Sequence, residues 1–370
     1  MKVLRGPLER WEAQTPPNAV TVGVFDGVHI GHRVILDRLL ANSHPSTVLT
    51  FDPHPAEVIS PGAHPRLVTS IDERIALLSD LGIDTVGVLD LAEIRHLEPE
   101  EFVSQVLVDR LEVSYLVVGT DFQFGRDRAG DCDFLIAAGS RHGFEVEVVA
   151  LVESNGVISS TRIRRLIEDG NVADAADLLG RLYRLSNVVT PGDERGKDLG
   201  FPTANLKPPD SKVIPGNGIY AAWARIGRET LPAAVNVGVR PTFGGTELLI
   251  ESHIIDFDRQ IYGSVLTLDF VEKLRPELQF ENADALVAAI RDDVSQVRRL
   301  LKTAPVATCG RGASRCQRRR AAGRSTPGDP WWSRPARRAW CAPPVTWIPM
   351  AWNKRSTMSP VCGTAVTRPS

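Results

Sequence analysis

The pattern of strands and helices changes near Leu185, and this change constrains the fold more than any other feature of the sequence. Before it, short β-branched runs such as Val20–Phe25 and Thr85–Leu89 alternate with amphipathic helical patterns such as Asp72–Leu81. Such alternation predicts a parallel sheet with helices on both faces. After it, strand-like runs are separated by turns containing Gly or Pro, without a helical pattern before Asn282. The second half therefore predicts a small antiparallel β-barrel with a helix packed across it.

The same pattern divides the chain into three parts. We predict an α/β domain over residues 1–180, a β-barrel domain over residues 181–303 and a tail over residues 304–370. The tail holds five of the seven Trp and nine of the 26 Pro, but no Leu, Phe, Tyr or Glu. A disordered segment is usually poor in Trp and Cys. We favour the hypothesis that the tail is translated out of frame and that the natural chain ends near Leu300. The alternative is an unstructured basic tail that contacts nucleic acid or acidic lipid. Sequencing the coding DNA decides between the two.

Charge and cysteine content differ between the tail and the rest of the chain. The whole chain has 43 Lys and Arg residues and 45 Asp and Glu residues. Twelve of the basic residues and one of the acidic residues lie from Ala304 onward, which leaves 31 basic and 44 acidic residues before Ala304. Residues 1–303 hold one cysteine, Cys132, as expected in a reduced compartment. The tail cysteines form no CxxC pair, so we expect no zinc site. Without a membrane-length apolar run or the apolar core of a secretory signal, we expect a cytoplasmic protein and no membrane partner.

A glycine-bearing string, GVFDGVHIGH over Gly23–His32, follows the first predicted strand. A strand that ends in such a turn before a helix points backbone N–H groups and the positive helix end at an anion. His29 and His32 can donate hydrogen bonds to phosphate oxygens during attack on an α-phosphorus, so they are candidate catalytic residues. A single histidine is more often structural, but two in HxGH directly after a strand favour function. We expect further nucleotide contacts from Gly23, Phe25, Asp26, Gly27 and Gly31.

A second glycine-bearing string, GxxxGxxxGFPTAN, opens the barrel half. The N–H groups of such a loop can wrap phosphates, although the GK[ST] ending of a Walker loop is absent. Thr203 and Asn205 offer neutral oxygens of the kind that Mg²⁺ prefers, and we expect them to hold that ion. The nucleotide contacts predicted in this string are Gly192, Gly196, Lys197, Gly200, Pro202, Thr203 and Asn205.

Glu251 is the candidate general base of the barrel half. It lies within an alternating apolar pattern, where an unpaired carboxylate is costly unless it has a role. A carboxylate at this place could take the proton from a primary alcohol that accepts phosphate. The alternative is a glutamate at the barrel rim that pairs with an arginine.

The first half resembles the nucleotidylyltransferase superfamily, and the string Gly23–His32 narrows the resemblance to bacterial bifunctional riboflavin kinase/FAD synthetases. The supporting strings TFDPHP, GTDFQFG and SSTRIR begin at Thr50, Gly119 and Ser159. The resemblance implies a Rossmann-like nucleotidylyltransferase domain that binds ATP at HxGH. It implies that Ser160, Thr161 and Arg164 face the ATP phosphates and that Asp121 and Phe122 lie near the flavin.

Several of these positions have a second interpretation. Arg162, Arg164 and Arg165 could form a solvated basic face, although we expect at least one of them to bind phosphate. Phe122 could belong to the core. His54, held between two prolines after a strand, is expected to contact a ligand. Asp52 is either structural or helps to place Mg²⁺.

The second half resembles the riboflavin kinase barrel, which binds MgATP at the PTAN string. This resemblance implies that Glu251 is the catalytic glutamate, that Asn236 and Arg240 lie near the nucleotide and flavin, and that Arg275 belongs to a flap over the flavin. Lys197 stands where the family more often has Arg. Since Lys lacks the bidentate fork of Arg, a phosphate contact there is expected to be weaker.

These observations predict a bifunctional transferase that converts riboflavin to FMN and FMN to FAD, with ATP and Mg²⁺ at both sites. We expect a monomer or weak oligomer whose partners are riboflavin, FMN and ATP, without nucleic acid. One alternative is a nucleotidylyltransferase for another phosphate-bearing acceptor, with a flavin-binding barrel. The other is a flavin-binding sensor whose basic tail holds nucleic acid.

Overall fold

The structure is a computed structural model that describes residues 1–303 apart from residues 63, 155, 193–195, 197–198 and 243–244. It does not describe the side chains of residues 240–242, 245–247 and 303. The predicted roles of Lys197 and of the side chain of Arg240 therefore lie outside the described part, as does the interpretation of residues 304–370.

Six parallel strands form the sheet of the first domain, in the order β1-β4-β3-β2-β5-β6. This confirms the parallel sheet that the alternating pattern predicts. Strands β2 and β4 are buried along their whole length, which explains why they are continuous apolar or β-branched runs. The strands are β1 (Lys2–Leu4), β2 (Asn18–Val22), β3 (Ser46–Phe51), β4 (Thr85–Leu89), β5 (Val113–Gly119) and β6 (Glu145–Val149).

Eight helices accompany this sheet in the described part of the chain. Ser70 and Glu73 form a capping box at the start of one, α3. The helical path that begins at Pro99 is not α-helical throughout: α5 ends at Phe102, and a π-helical segment, Val103–Val108, follows it directly. The helices are α1 (Ile30–Ala41), α2 (Pro55–Ile59), α3 (Ile71–Asp80), α4 (Leu91–Ile94), α5 (Pro99–Phe102), α6 (Cys132–His142), α7 (Ser160–Glu168) and α8 (Val172–Leu179).

The second half is a closed antiparallel barrel with strand order β10-β11-β8-β7-β12-β9. It confirms the predicted barrel and adds β8, a three-residue strand that begins within the PTAN string and ends one residue beyond it. The strands are β7 (Tyr183–Thr190), β8 (Ala204–Leu206), β9 (Gly218–Ile226), β10 (Glu229–Thr242), β11 (Gly245–Ile254) and β12 (Val265–Arg275).

Helix α9 (Ala283–Thr303) packs on the outer face of β9 and β10, as the sequence predicts. Val297 and Leu301 of the helix are buried in a small apolar cluster with Trp223 and Ala234 of the barrel. This cluster lies outside the barrel, because the neighbouring residues of β10 point into the barrel core.

One apolar core continues from the first domain into the barrel. Val68, Ile163 and Ile167 belong to the same buried cluster as Val213 and Tyr220. Helix α8 ends at Leu179 and β7 begins at Tyr183, on either side of the boundary that we predict at residue 180. That boundary stays a prediction, and the two domains share buried packing across it.

Candidate active sites

The loop between β2 and α1 carries the HxGH string, and its backbone is tightly constrained. Gly27 has φ +83°, and a Cβ there would lie 3.1 Å from Cγ1 of Val68 and 3.3 Å from Cδ2 of Leu179. The Gly27 N–H donates to Oγ1 of Thr69 at 2.9 Å. Both the positive φ and the close approach require glycine at this position.

His29 and His32 lie together at the start of α1, with their rings stacked at a centroid distance of 3.5 Å. Nδ1 of His29 accepts the His32 backbone N–H at 3.2 Å, which leaves Nε2 as the protonated nitrogen of a neutral ring. Burial lowers the pKa of His29 to about 4. The pKa of His32 is lowered well below its usual value, mainly by burial and to a smaller extent by the neighbouring His29. Nδ1 of His32 is buried without a hydrogen-bond partner among the described residues. The pair therefore supplies neutral hydrogen-bond donors at pH 7.

Asp26 anchors this loop through its side chain. Its carboxylate is almost fully buried and accepts the backbone N–H groups of Val68 at 3.0 Å and Thr69 at 2.9 Å. Nη1 of Arg164 donates to it at 2.9 Å. The structure therefore places the Asp26 carboxylate among protein partners, where it holds the loop in place.

The start of α7 meets the same loop. Ser160 Oγ donates to the Asp26 carbonyl at 2.8 Å, and Nη2 of Arg164 donates to Oγ1 of Thr161 at 3.0 Å. Arg162 points elsewhere, because its Nη1 donates to the carbonyls of Ser154 at 2.8 Å and Gly156 at 3.1 Å. The structure thus brings Ser160, Thr161 and Arg164 to the HxGH loop but does not bring Arg162 there.

Arg74 is a charged residue of this site that the sequence analysis missed. It is 1% exposed, and its Nη1 donates to Thr50 Oγ1 at 3.0 Å and to the Phe51 carbonyl at 3.2 Å. Its Nε has no hydrogen-bond partner among the described residues. Burial lowers its pKa, while Asp26 and Asp52 raise it. In the sequence this arginine looks like any solvated helix residue, so no local signal identifies it.

His54 lies close to the same charged groups. Its Nδ1 accepts the Ala56 N–H at 3.1 Å and so caps α2. Burial lowers the pKa of His54; Asp26 opposes this effect, and Arg164 and Arg74 add to it. These neighbours place His54 near the nucleotide loop, and its predicted contact with a ligand stays a prediction.

The loop after β5 lies at the same edge of the sheet, because β5 pairs with β2 in parallel. The carboxyl ends of neighbouring parallel strands form the crevice where α/β proteins bind ligands. Asp121 is exposed at this edge and Phe122 is half-buried, stacked on Phe124 at 5.7 Å. Phe124 itself is buried in the core. Asp121 and Phe122 are thus available on the side of the sheet where the HxGH loop lies.

In the barrel, three polar residues form a row across neighbouring strands. Glu251 of β11 lies opposite Asn205 of β8 and opposite Asn236 of β10. The Asn236 amide Nδ2 lies 3.5 Å from the Glu251 carboxylate, and Oδ1 of Asn236 is buried without a partner among the described residues. A Cβ at Gly192 would lie 2.0 Å from Nδ2 of Asn205. The backbone at Gly192, which follows β7, therefore passes directly beside this row.

Two cavities lie on opposite faces of β11. The outer cavity, of about 440 Å³, lies between the barrel and α9, and Glu251 and His253 line it. The inner cavity, of about 280 Å³, is lined by Ser252 and Ile254, which alternate along β11 with Glu251 and His253. Thr203 lines both cavities. Among the predicted residues, Gly196, Asn205, Asn236 and Arg275 line the outer cavity, and Pro202 lines the inner one.

Arg275 is fixed at the wall of the outer cavity by Asp293 of α9. Its Nε and Nη2 donate to the two carboxylate oxygens at 2.9 and 2.7 Å. Asp293 is 3% exposed, and Phe280 lies beside the guanidinium with its ring centre 5.8 Å away. Arg275 is predicted to belong to a flap over the flavin, but its buried partner Asp293 has no local signal in the sequence.

Comparison with known proteins agrees with this two-site arrangement. The FAD synthetase family model matches residues 12–162, and the riboflavin kinase family model matches residues 179–301. Both ranges end before Ala304. Across the described part, no helix is both long and apolar enough to cross a membrane.

Relatives match the chain over most of its length. The bifunctional riboflavin kinase/FMN adenylyltransferase of Pseudomonas fluorescens is 38% identical over 307 residues, which cover 81% of this chain and 98% of the relative. The protein of the same name from Escherichia coli K12 is 36% identical over 79% of this chain and 96% of its own. A crystal structure described as a macrolide-efflux protein from Streptococcus pneumoniae has a TM-score of 0.72 at 31% identity, covering 79% of this chain and 96% of that one. With both family models matched in order and full-length relatives of this kind, the chain belongs to the bifunctional riboflavin kinase/FMN adenylyltransferase family.

Proposed function

We propose that the chain phosphorylates riboflavin to FMN in the barrel and adenylylates FMN to FAD in the α/β domain. The observation that carries the kinase assignment is the position of Thr203, which lines both cavities, beside the row of Asn205, Glu251 and Asn236. Two ligands that occupy the two cavities would meet at this point.

In the kinase step, the outer cavity takes the flavin ring and the inner cavity takes the nucleotide. Leu249 of β11 and Leu286 and Ile290 of α9 supply apolar walls for the ring. The ribityl hydroxyl oxygen bonds to the γ-phosphorus of ATP, the bond from that phosphorus to the bridging oxygen breaks, and ADP leaves. Glu251 takes the hydroxyl proton, and Asn236 orients its carboxylate.

Mg²⁺ fits the donor set of the kinase site. Thr203 and Asn205 present a hydroxyl and an amide oxygen, hard neutral ligands that leave room for phosphate oxygens and water. The described residues contain no cluster of His, Cys, Asp and Glu that could hold a metal ion without the phosphates. When bound by Thr203 and Asn205, Mg²⁺ would neutralise charge on the ATP phosphates.

In the adenylyl-transfer step, a phosphate oxygen of FMN bonds to the α-phosphorus of ATP and pyrophosphate leaves. An ionised phosphate needs no general base, so the protein positions the substrates and neutralises charge. The neutral rings of His29 and His32 donate hydrogen bonds, while Arg74 and Arg164 supply positive charge. Ser160 holds the start of α7 against the loop, and Thr161 accepts a hydrogen bond from the Arg164 guanidinium.

The expected oligomeric state and cellular location of the protein are also part of this proposal. One cysteine in residues 1–303 supports a reduced, cytoplasmic compartment. A monomer or weak oligomer stays an expectation from the sequence.

A product assay tests the two-site assignment. Purified protein is incubated with riboflavin, ATP and Mg²⁺, and FMN and FAD are separated by chromatography. We expect wild type to form FAD, Glu251→Ala to leave riboflavin unconverted, and the double variant His29→Ala/His32→Ala to stop at FMN. His96→Ala and Glu272→Ala, at exposed positions, are the matched controls. FMN formation by Glu251→Ala at the wild-type rate, or FAD formation by the histidine variant, contradicts the assignment of that site.

A further inference from the structure

Two short segments join the α/β domain to the barrel. Leu67, between α2 and α3, forms a parallel bridge with Lys212, between β8 and β9. The Leu67 N–H donates to the Ser211 carbonyl at 2.7 Å, and the Val213 N–H donates to the Leu67 carbonyl at 2.9 Å. The barrel thus pairs by backbone hydrogen bonds with a segment of the first domain.

Lys212 extends this junction with a buried ion pair. It is 4% exposed, and its Nζ donates to the Glu73 carboxylate at 2.8 and 2.6 Å and to the Arg184 carbonyl at 2.8 Å. These three bonds use all three ammonium hydrogens. Glu73 also accepts the Ser70 N–H at 2.9 Å, which closes the capping box of α3. A buried ammonium with a full set of partners fixes the relative position of the groups that it joins.

The segment of the first domain that contacts Lys212 also contacts the nucleotide loop. We call residues 67–74 the junction segment. The N–H groups of Val68 and Thr69 bind the Asp26 carboxylate, and the Thr69 hydroxyl accepts the Gly27 N–H. The segment ends in Arg74, the buried arginine of the candidate adenylyl-transfer site. The ammonium of Lys212 is therefore two contacts away from the loop that carries His29.

A second cation near the domain boundary approaches the same loop. Arg181 follows α8, and its Nη1 lies 3.4 Å from the Leu179 carbonyl and 3.5 Å from the Val28 carbonyl. Val28 directly precedes His29. Arg181 thus lies against the loop that carries the HxGH string, and Lys212 reaches that loop through the junction segment.

We propose that Lys212 is a positioning residue for adenylyl transfer, although it belongs to the barrel: its ion pair with Glu73 holds the junction segment, which in turn holds Asp26 and the HxGH loop. The inference rests on the assignment of the adenylyl-transfer site given above. Without the ammonium, Glu73 loses its cation and the junction segment loses a fixed partner. Positioned catalysis is sensitive to shifts below 1 Å, so this loosening lowers the rate of adenylyl transfer. Lys212 does not line the outer or inner cavity, so the kinase step is spared.

The test compares the two ATP-dependent steps in the same full-length protein. Lys212→Met keeps the apolar length of the side chain and removes its charge. The kinase step is measured with riboflavin and ATP, and the adenylyl step with FMN and ATP. We expect kcat/KM of the adenylyl step to fall at least 10-fold, while kcat and KM for ATP of the kinase step stay within 2-fold. Lys207→Met, at an exposed barrel position, is the control.

A second variant separates positioning from stability. Lys212→Met leaves the Glu73 carboxylate without its cation, so the melting temperature also falls. Lys212→Met/Glu73→Gln removes both charges and keeps a side chain that can complete the capping box. We expect this double variant to recover the melting temperature and to keep the adenylyl defect.

Three results overturn the proposal: an adenylyl step that Lys212→Met leaves unchanged, a parallel loss of both steps, or recovery of the adenylyl step together with the melting temperature. An error in the underlying site assignment shows itself separately, as FAD formation by His29→Ala/His32→Ala.

Discussion

The ion pair between Asp293 and Arg275 should control riboflavin binding, and Asp293→Asn tests this. The Asp293 side chain is 4% exposed and that of Arg275 is 19% exposed. Breaking a fully buried pair costs about 3–5 kcal/mol. Because Arg275 keeps some contact with solvent, we expect a loss of about 2–3 kcal/mol, as for hydrogen bonds to charged groups.

Part of this loss should appear as weaker flavin binding, since Arg275 forms a wall of the outer cavity. If about 2 kcal/mol is lost from riboflavin binding, KM for riboflavin rises about 30-fold. The remaining loss, up to about 1 kcal/mol, lowers the melting temperature by roughly 2–4 °C. The adenylyl step, measured with FMN supplied directly, should keep its wild-type kcat/KM.

Kinase kinetics at varied riboflavin concentration measure the effect, with adenylyl transfer as the internal reference. Asp292→Asn, one residue away on the exposed face of α9, is the matched control. A lower melting temperature with an unchanged KM for riboflavin would refute the reasoning, because the pair would then stabilise the fold without shaping the cavity.

Three further outcomes are expected. Gly192→Ala should reduce kinase activity and spare the adenylyl step, because its Cβ would lie 2.0 Å from Nδ2 of Asn205; equal loss of both activities would contradict this. Arg74→Met should raise KM for ATP in the adenylyl step alone, measured by initial rates, because a buried cation of that site is removed; an unchanged KM would exclude it from the site. Since the pKa of folded His29 is about 4, against 6.5 in the unfolded chain, its neutral form is favoured by folding. Its contribution to stability is complete above pH 6.5 and is lost as pH falls towards 4; urea unfolding of wild type and His29→Ala checks this, and equal pH slopes would contradict it.

The alternation of hydrophobic patterns was enough to predict the architecture, because each pattern reflects burial of one strand or helix. Element ends were predicted less well. The first strand was expected to reach Phe25 but ends at Val22, since residues 23–29 turn towards the ligand edge. Strand β8 (Ala204–Leu206) was missed because three residues at the end of a glycine-bearing string are too few to show periodicity.

Candidate site residues that lie in a short sequence motif were predictable. Residues whose role depends on partners far away in the sequence were missed. His29, His32, Thr203 and Asn205 lie in strings that can be read directly. Arg74, Lys212 and Asp293 look like ordinary surface residues until the fold buries them. Lys212 meets Glu73 across 139 positions of sequence, a separation at which a single sequence holds no pairing signal.

The alternation of side chains along β11 links its hydrogen-bond register to the proposed kinase chemistry. Glu251 points to one cavity and Ser252 to the other only because successive residues of a strand face opposite sides. A slip of one residue against β8 and β10 would turn the carboxylate into the barrel interior and leave a hydroxyl facing the outer cavity. The backbone ladders on both sides of β11 therefore determine which side chain faces the outer cavity, so a mutation that weakens strand pairing far from this cavity would move the carboxylate out of it without changing Glu251 itself.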